Sequence, residues 1–132
     1  MTVRLGFAGI ALALLASCAV SAAGTPRVIE ITIEHSAFDP DDVRVAQGST
    51  VTFIVHNNDP IGHEFIIGTE EVQLVHELGT ESHHPPRPGE MSVPAGSTRT
   101  TTFKFEEPSD LIFGCHLPGH YDYGMRGAIE VR

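Results

Sequence analysis

The chain has a single lysine, Lys104, and no tryptophan. Eight Lys and Arg face seventeen Asp and Glu, which leaves a formal charge of −9. Phosphate binding needs clustered Lys and Arg, so this balance argues against a nucleic-acid partner. An acidic body is instead steered toward a basic patch on another molecule. Cysteine is scarce too: there are two, Cys18 and Cys115. Cys18 falls in an N-terminal leader, so the remaining body cannot close an internal disulfide. A lone Cys in an exported chain points to a metal ligand, a reactive thiol or an intermolecular bond. No repeat, helical heptad, phosphate loop or general acid–base pair is legible, and the sequence is not read as an enzyme. The lack of Trp excludes nothing.

Long apolar runs are limited to residues 5–16, which are too short to span a bilayer comfortably. A short n-region with one positive charge, Arg4, precedes them and small residues follow. This predicts a secretory signal peptide over residues 1–23, then a short linker over 24–27. Two processing readings stand. Leu15-Ala16-Ser17-Cys18 resembles a bacterial lipobox, which makes Cys18 the lipidated first residue of a membrane-attached lipoprotein. Cleavage around Ser21-Ala22-Ala23 instead releases a soluble protein. Both place the chain outside the cytoplasm, in the periplasm or at the cell-envelope surface.

The rest, residues 28–132, is one domain's length. Residues 28–34 alternate apolar and polar, as a half-buried strand does. Residues 38–42 read as a turn, 43–45 as a short strand, and 50–55 as a strand rich in β-formers. Asn57-Asn58-Asp59-Pro60 is a strong turn signal, followed by a strand from His63 to Ile67. Residues 69–90 break the pattern. Residues 70–78 suit a short helix, and the prolines at 85, 86 and 88 prevent its continuation. Strands follow at 98–105, 111–115 and 128–131. Seven to eight short strands with turns between them predict an all-β fold, an antiparallel Greek-key sandwich with one helical or irregular insertion.

The chemistry concentrates in residues 115–125, Cys-His-Leu-Pro-Gly-His-Tyr-Asp-Tyr-Gly-Met. A thiol, an imidazole and a thioether stand at positions 115, 120 and 125 of one loop between two strands. A thiolate with imidazoles and a long axial thioether is the donor set of a blue-copper electron-transfer site. That set needs a second histidine from elsewhere, and His63 offers one. Gly119 and Gly124 suit tight loop conformations, and Pro118 stiffens the loop.

C-x-x-x-x-H-x-x-x-x-M closing an all-β chain, with an isolated upstream His, resembles the cupredoxin family (plastocyanin, azurin, amicyanin and relatives). The likeness covers roughly residues 27–132. It implies one copper held by His63, Cys115, His120 and Met125, with the edge of His120 facing a redox partner protein; the acidic balance, not the resemblance, points to a basic docking patch on that partner. Two departures stand out. Where familiar members often have Asn after the first His, this chain has Glu64; a carboxylate there lowers the potential or adds pH dependence. His116 directly follows Cys115, and in multicopper enzymes such a pair links a blue site to a second copper. Strand alternation gives the plainer reading, with His116 pointing away into solvent or a hydrogen bond.

The insertion adds His76, His83 and His84, with Glu70, Glu77 and Glu81 nearby. These donors suit a second, harder site for zinc or copper(II), or they are solvated loop residues. Three functions follow: a one-electron carrier, an envelope copper-binding or copper-tolerance protein, and a redox enzyme subunit using His116. The first carries the expectation.

Overall fold

The computed structural model describes residues 27–79 and 85–132. The expected signal peptide with Cys18, most of the expected linker, and Glu81, His83 and His84 lie outside the described residues. Period-two alternation shapes the strands. In β4 (Thr50–Asn57), Val51, Phe53, Val55 and Asn57 are buried, while Thr52, Ile54 and His56 between them are not fully so. β1 (Arg27–Glu34) buries Ile31 and Ile33 in the same way.

Nine strands form two sheets among the described residues. One has the order β2-β1-β4-β7, with β2 at Ala37–Asp39 and β7 at Thr98–Lys104. The other has the order β3-β9-β8-β5-β6. Its strands are β3 (Asp42–Val45), β5 (His63–Gly68), β6 (Glu90–Val93), β8 (Ser109–Gly114) and β9 (Arg126–Val131). The sandwich expected from the sequence is present, with short β2 and β6 beyond the seven to eight strands counted there. Residues 38–42 are not wholly a turn, because Ala37, Phe38 and Asp39 pair with Glu34, Ile33 and Thr32. Two pairings, β1 with β4 and β3 with β9, are parallel; the rest are antiparallel. The parallel pairs arise because the chain crosses to the other sheet at β3 before β4 returns beside β1.

The inner faces meet in an aromatic core. Phe38, Phe53, Phe65 and Phe113 are 5 % exposed or less. Their ring centroids lie 5.2 Å (Phe38–Phe113), 5.3 Å (Phe65–Phe113) and 5.5 Å (Phe53–Phe65) apart, tilted or edge-on. Such pairs add about 0.5–1.5 kcal/mol each beyond the area they bury. This packing pins β5, which opens at His63, and β8, from whose end the loop of residues 115–125 springs toward β9.

α1 (Glu70–Glu77) lies within the stretch the sequence reads as helical. Thr69 caps it, its hydroxyl accepting from the Val72 N–H, and Glu70 and Glu71 suit the positive end of the helix. α1 packs against β5 and β8. A Cβ on Gly68 would fall 2.4 Å from Val72 Cγ1, so the approach requires glycine. The helix buries a polar residue: Gln73 Nε2 donates to the carbonyls of Ile66 (3.1 Å) and Ile112 (2.9 Å). Leu74, Val75 and Leu78 are exposed.

Candidate metal centre

β8 ends at Gly114 beside Ile66 of β5, so Cys115 emerges next to the start of β5. The loop then folds on itself. The His120 N–H donates to Leu117 O and the Met125 N–H to His120 O (both 2.9 Å), and the Cys115 N–H donates to Met125 O (3.2 Å). Gly119 and Gly124 take φ of +81° and +99°, conformations that L side chains avoid. The five-residue spacing of Cys115, His120 and Met125 thereby becomes a closed turn.

Cys115 Sγ lies 3.5 Å from His120 Nδ1 and 3.9 Å from His63 Nδ1. The three donor atoms lie within 4.8 Å of one another, and no other such group of His, Cys, Asp or Glu occurs among the described residues. A trigonal first-row ion with bonds of about 2.0–2.3 Å places nitrogen and sulfur donors roughly 3.7 Å apart. The side chains already stand at that separation. Met125 is 1 % exposed at the foot of the same loop, tied by its backbone to both Cys115 and His120. His63 and Cys115 are buried, while His120 is half-buried at the loop surface.

Electrostatics suit a metal rather than a free thiolate. Burial pushes the Cys115 thiol up to about 11, against the N–H groups of Leu117 and Glu64 that point at its sulfur. The Glu64 N–H donates to Sγ at 3.3 Å. Burial also lowers the His63 pKa, opposed by its bond to Asp59. A neutral imidazole and a thiol that a cation can deprotonate are what metal binding requires.

The two departures resolve structurally. Glu64 ties the ligand segments together, because its Oε2 accepts from the His116 N–H at 3.2 Å. His116 takes the plainer reading, but toward α1 rather than solvent. Its ring is within 2.8 Å of Glu77 Oε2 and 2.6 Å of Gln73 Oε1, and it stacks on Tyr121. His76 also sits on α1, with Nδ1 bonded to Val72 O at 2.8 Å and Nε2 3.8 Å from Glu90 Oε2. His76 stands apart from the Cys115 group; its proposed companions His83 and His84 are outside the described residues.

Sequence reasoning missed Gln73 and Asp59 and gave Glu77 another role. Gln73 and Glu77 hold His116, whereas the sequence offered Glu77 as a donor to a second metal site. Asp59 was absorbed into a turn signal, yet its Oδ2 lies 2.9 Å from His63 Nε2. Its i, i+4 spacing from His63 was the available clue.

A two-sheet sandwich with a Cys–His–His group, buried except for the half-buried His120, and an adjacent Met defines a type 1 copper protein by fold and donor set. The chain belongs to the plastocyanin/azurin family of copper-binding proteins, whose family model matches residues 27–132. It is 31 % identical over 117 residues to the "Copper-resistant cuproprotein CopI" of Rubrivivax gelatinosus, covering 84 % of this chain and 70 % of that protein. A protein of the same name from Vibrio cholerae is 32 % identical over 95 residues; the match covers 68 % of this chain and 55 % of that relative's length. Among solved structures, a dithionite-reduced auracyanin from Roseiflexus castenholzii superposes with a TM-score of 0.67. Identity is 27 %, over 83 % of this chain and 99 % of that one. On the strength of that family the chain is a copper-binding protein and not an enzyme.

Proposed function

We propose that the chain is an exported one-electron carrier whose single copper is held by His63, Cys115, His120 and Met125. The observation that carries this is the buried meeting of Cys115 Sγ with two imidazole Nδ1 atoms in one pinned cluster. Copper supplies the one-electron couple. The chain's own residues keep the ligands still: β5 and β8 fix His63 and Cys115, Glu64 joins their segments, and the loop's backbone bonds hold His120 and Met125. A site that moves little between two charge states is what fast electron transfer needs. The half-buried edge of His120 is the port, and the acidic surface favours a partner with a basic patch. The leader and Cys18 support a periplasmic or envelope location, with lipid attachment if the lipobox is used.

The test is a copper(II) titration of the metal-free protein followed by visible absorption. An intense thiolate-to-copper band saturating at one equivalent is expected, and Cys115→Ser abolishes it. A Cys115→Ser variant that stays blue would refute the ligand assignment.

A second reading, copper tolerance in the envelope, is favoured by the names of the CopI relatives. It rests on the insertion's His76, His83 and His84 as a second metal site. Uptake beyond one equivalent, lost when these three are replaced, would support it. Uptake that stops at one equivalent in the unmodified protein removes it.

A further inference from the structure

Asp59 is a buried acid with no part in the donor set. Its side chain is 9 % exposed and that of His63 is fully buried. We propose that Asp59 is a positioning residue for the copper site. Its carboxylate locks His63 into the tautomer that presents Nδ1 to the metal, and its negative charge, felt through the imidazole, favours copper(II) over copper(I). This rests on the copper reading above and deepens it.

The geometry is specific. Asp59 Oδ1 accepts from the His35 N–H at 2.7 Å, and Oδ2 accepts from the Ser36 N–H at 2.8 Å. Oδ2 also lies 2.9 Å from His63 Nε2. Both oxygens already accept a backbone N–H, which holds the group as a carboxylate, and a carboxylate can only accept. His63 Nε2 must therefore carry hydrogen, which leaves the Nδ1 lone pair for the side facing Cys115 Sγ.

The support behind Asp59 is equally particular. His35 and Ser36 are non-glycine residues at φ +55° and +56°, the left-handed region that L side chains seldom occupy. That turn aims two successive N–H groups at one carboxylate. From the other side, the Asp59 N–H donates to Asn57 Oδ1 at 3.0 Å. Asn57 Nδ2 in turn reaches the carbonyls of Ile61, Val93 and Pro94 at 2.8–3.1 Å. The carboxylate is thus fixed to β1, β4 and the β6 end together, and His63 inherits that fixity.

Carboxylates that accept from a metal-bound imidazole raise its basicity, and their loss typically changes metal affinity 10–100-fold. The more highly charged ion gains more from a basic ligand. Asp59→Asn should therefore weaken copper(II) binding about tenfold more than copper(I) binding. That ratio reads as a rise in reduction potential of about 59 mV for a one-electron couple. The copper-loaded variant should remain blue at one equivalent. His35→Gly, which keeps the N–H and suits the positive φ, should leave the potential unchanged.

The experiment is voltammetry of copper-loaded wild type, Asp59→Asn and His35→Gly, with the His63 Hε2 resonance recorded in the wild-type copper(I) protein. A raised potential in Asp59→Asn and a downfield, exchange-protected Hε2 signal support the proposal. A folded, blue Asp59→Asn protein with the wild-type potential overturns it and makes Asp59 a staple for the 35–36 turn only. If Asp59→Asn does not fold, the Hε2 signal decides, and a freely exchanging proton overturns the clamp. A wild-type protein without a blue band would instead sink the copper reading itself, a failure distinct from that of Asp59.

Discussion

At the scale of single residues, Cys115 shows how strongly the pocket is built around an ion. Two N–H groups point at its sulfur, yet burial still holds the proton on until about pH 11. In the metal-free protein the unfolded thiol ionises near its ordinary value of 9.0 while the folded one stays neutral. Above pH 9 the unfolded state binds fewer protons than the folded state, so stability falls from there to about pH 11 and then levels. A shift of two pK units corresponds to roughly 3 kcal/mol. Melting of metal-free wild type across pH 8–11 should show this loss, and Cys115→Ser should lack it. Equal pH profiles for the two would mean the thiol is not held neutral. Copper reverses the balance, because a coordinated thiol is deprotonated outright. Much of this residue-scale chemistry was legible beforehand. Cys115, His120 and Met125 lie in one turn of chain, so their spacing nearly states their geometry. Asp59 was legible only through its i, i+4 spacing from His63, because the N–H groups that orient it come from His35 and Ser36 on another segment. Glu64 looked like a departure from an Asn pattern, and only its bond to the His116 N–H, 52 residues away, shows that a carboxylate serves as the tie.

At the scale of elements, alternation found the long strands because each has one buried face. It missed β6, which follows directly on the prolines of the insertion, and read β2 as a turn because Asp39-Pro40-Asp41-Asp42 is rich in turn residues. The parallel pairings were hidden for another reason: direction depends on where the chain crosses between sheets, which no local pattern records. α1 defeats pattern reading most clearly. Its outward residues include Leu74 and Val75, with Leu78 exposed at the C-cap, while Gln73 faces the sheet. Gln73 bonds two carbonyls of β5 and β8 and receives His116, so it fastens the helix to the strand that delivers Cys115. Gln73→Leu keeps the volume but strands these polar partners, each worth about 1–3 kcal/mol when buried and unpaired. A loss of at least 2 kcal/mol in denaturant unfolding is expected by that range. Leu78→Lys, at the exposed helix end, should stay within about 0.5 kcal/mol of wild type. Reversed sensitivities at these two positions would mean that α1 packs through its apolar side.

At the scale of the whole molecule, charge is expected to act on encounter with the copper site. With a formal charge of −9 and one lysine, encounter with a cation is attractive and with an anion repulsive. Both effects weaken as salt shortens the screening length from about 30 Å at 0.01 M to about 10 Å at 0.1 M. The rate of electron transfer from the copper(I) protein to a tris(phenanthroline)cobalt(III) cation should therefore fall as salt rises, by about tenfold or more over that range. The rate to hexacyanoferrate(III), an anion, should rise over the same range. Stopped-flow growth of the blue band measures both. Opposite slopes mean that the acidic body steers oxidants, and that a natural partner must bring basic groups to the face it docks on. If both slopes are flat, encounter is governed locally at the His120 edge, and the basic-partner expectation fails even though the copper site stands.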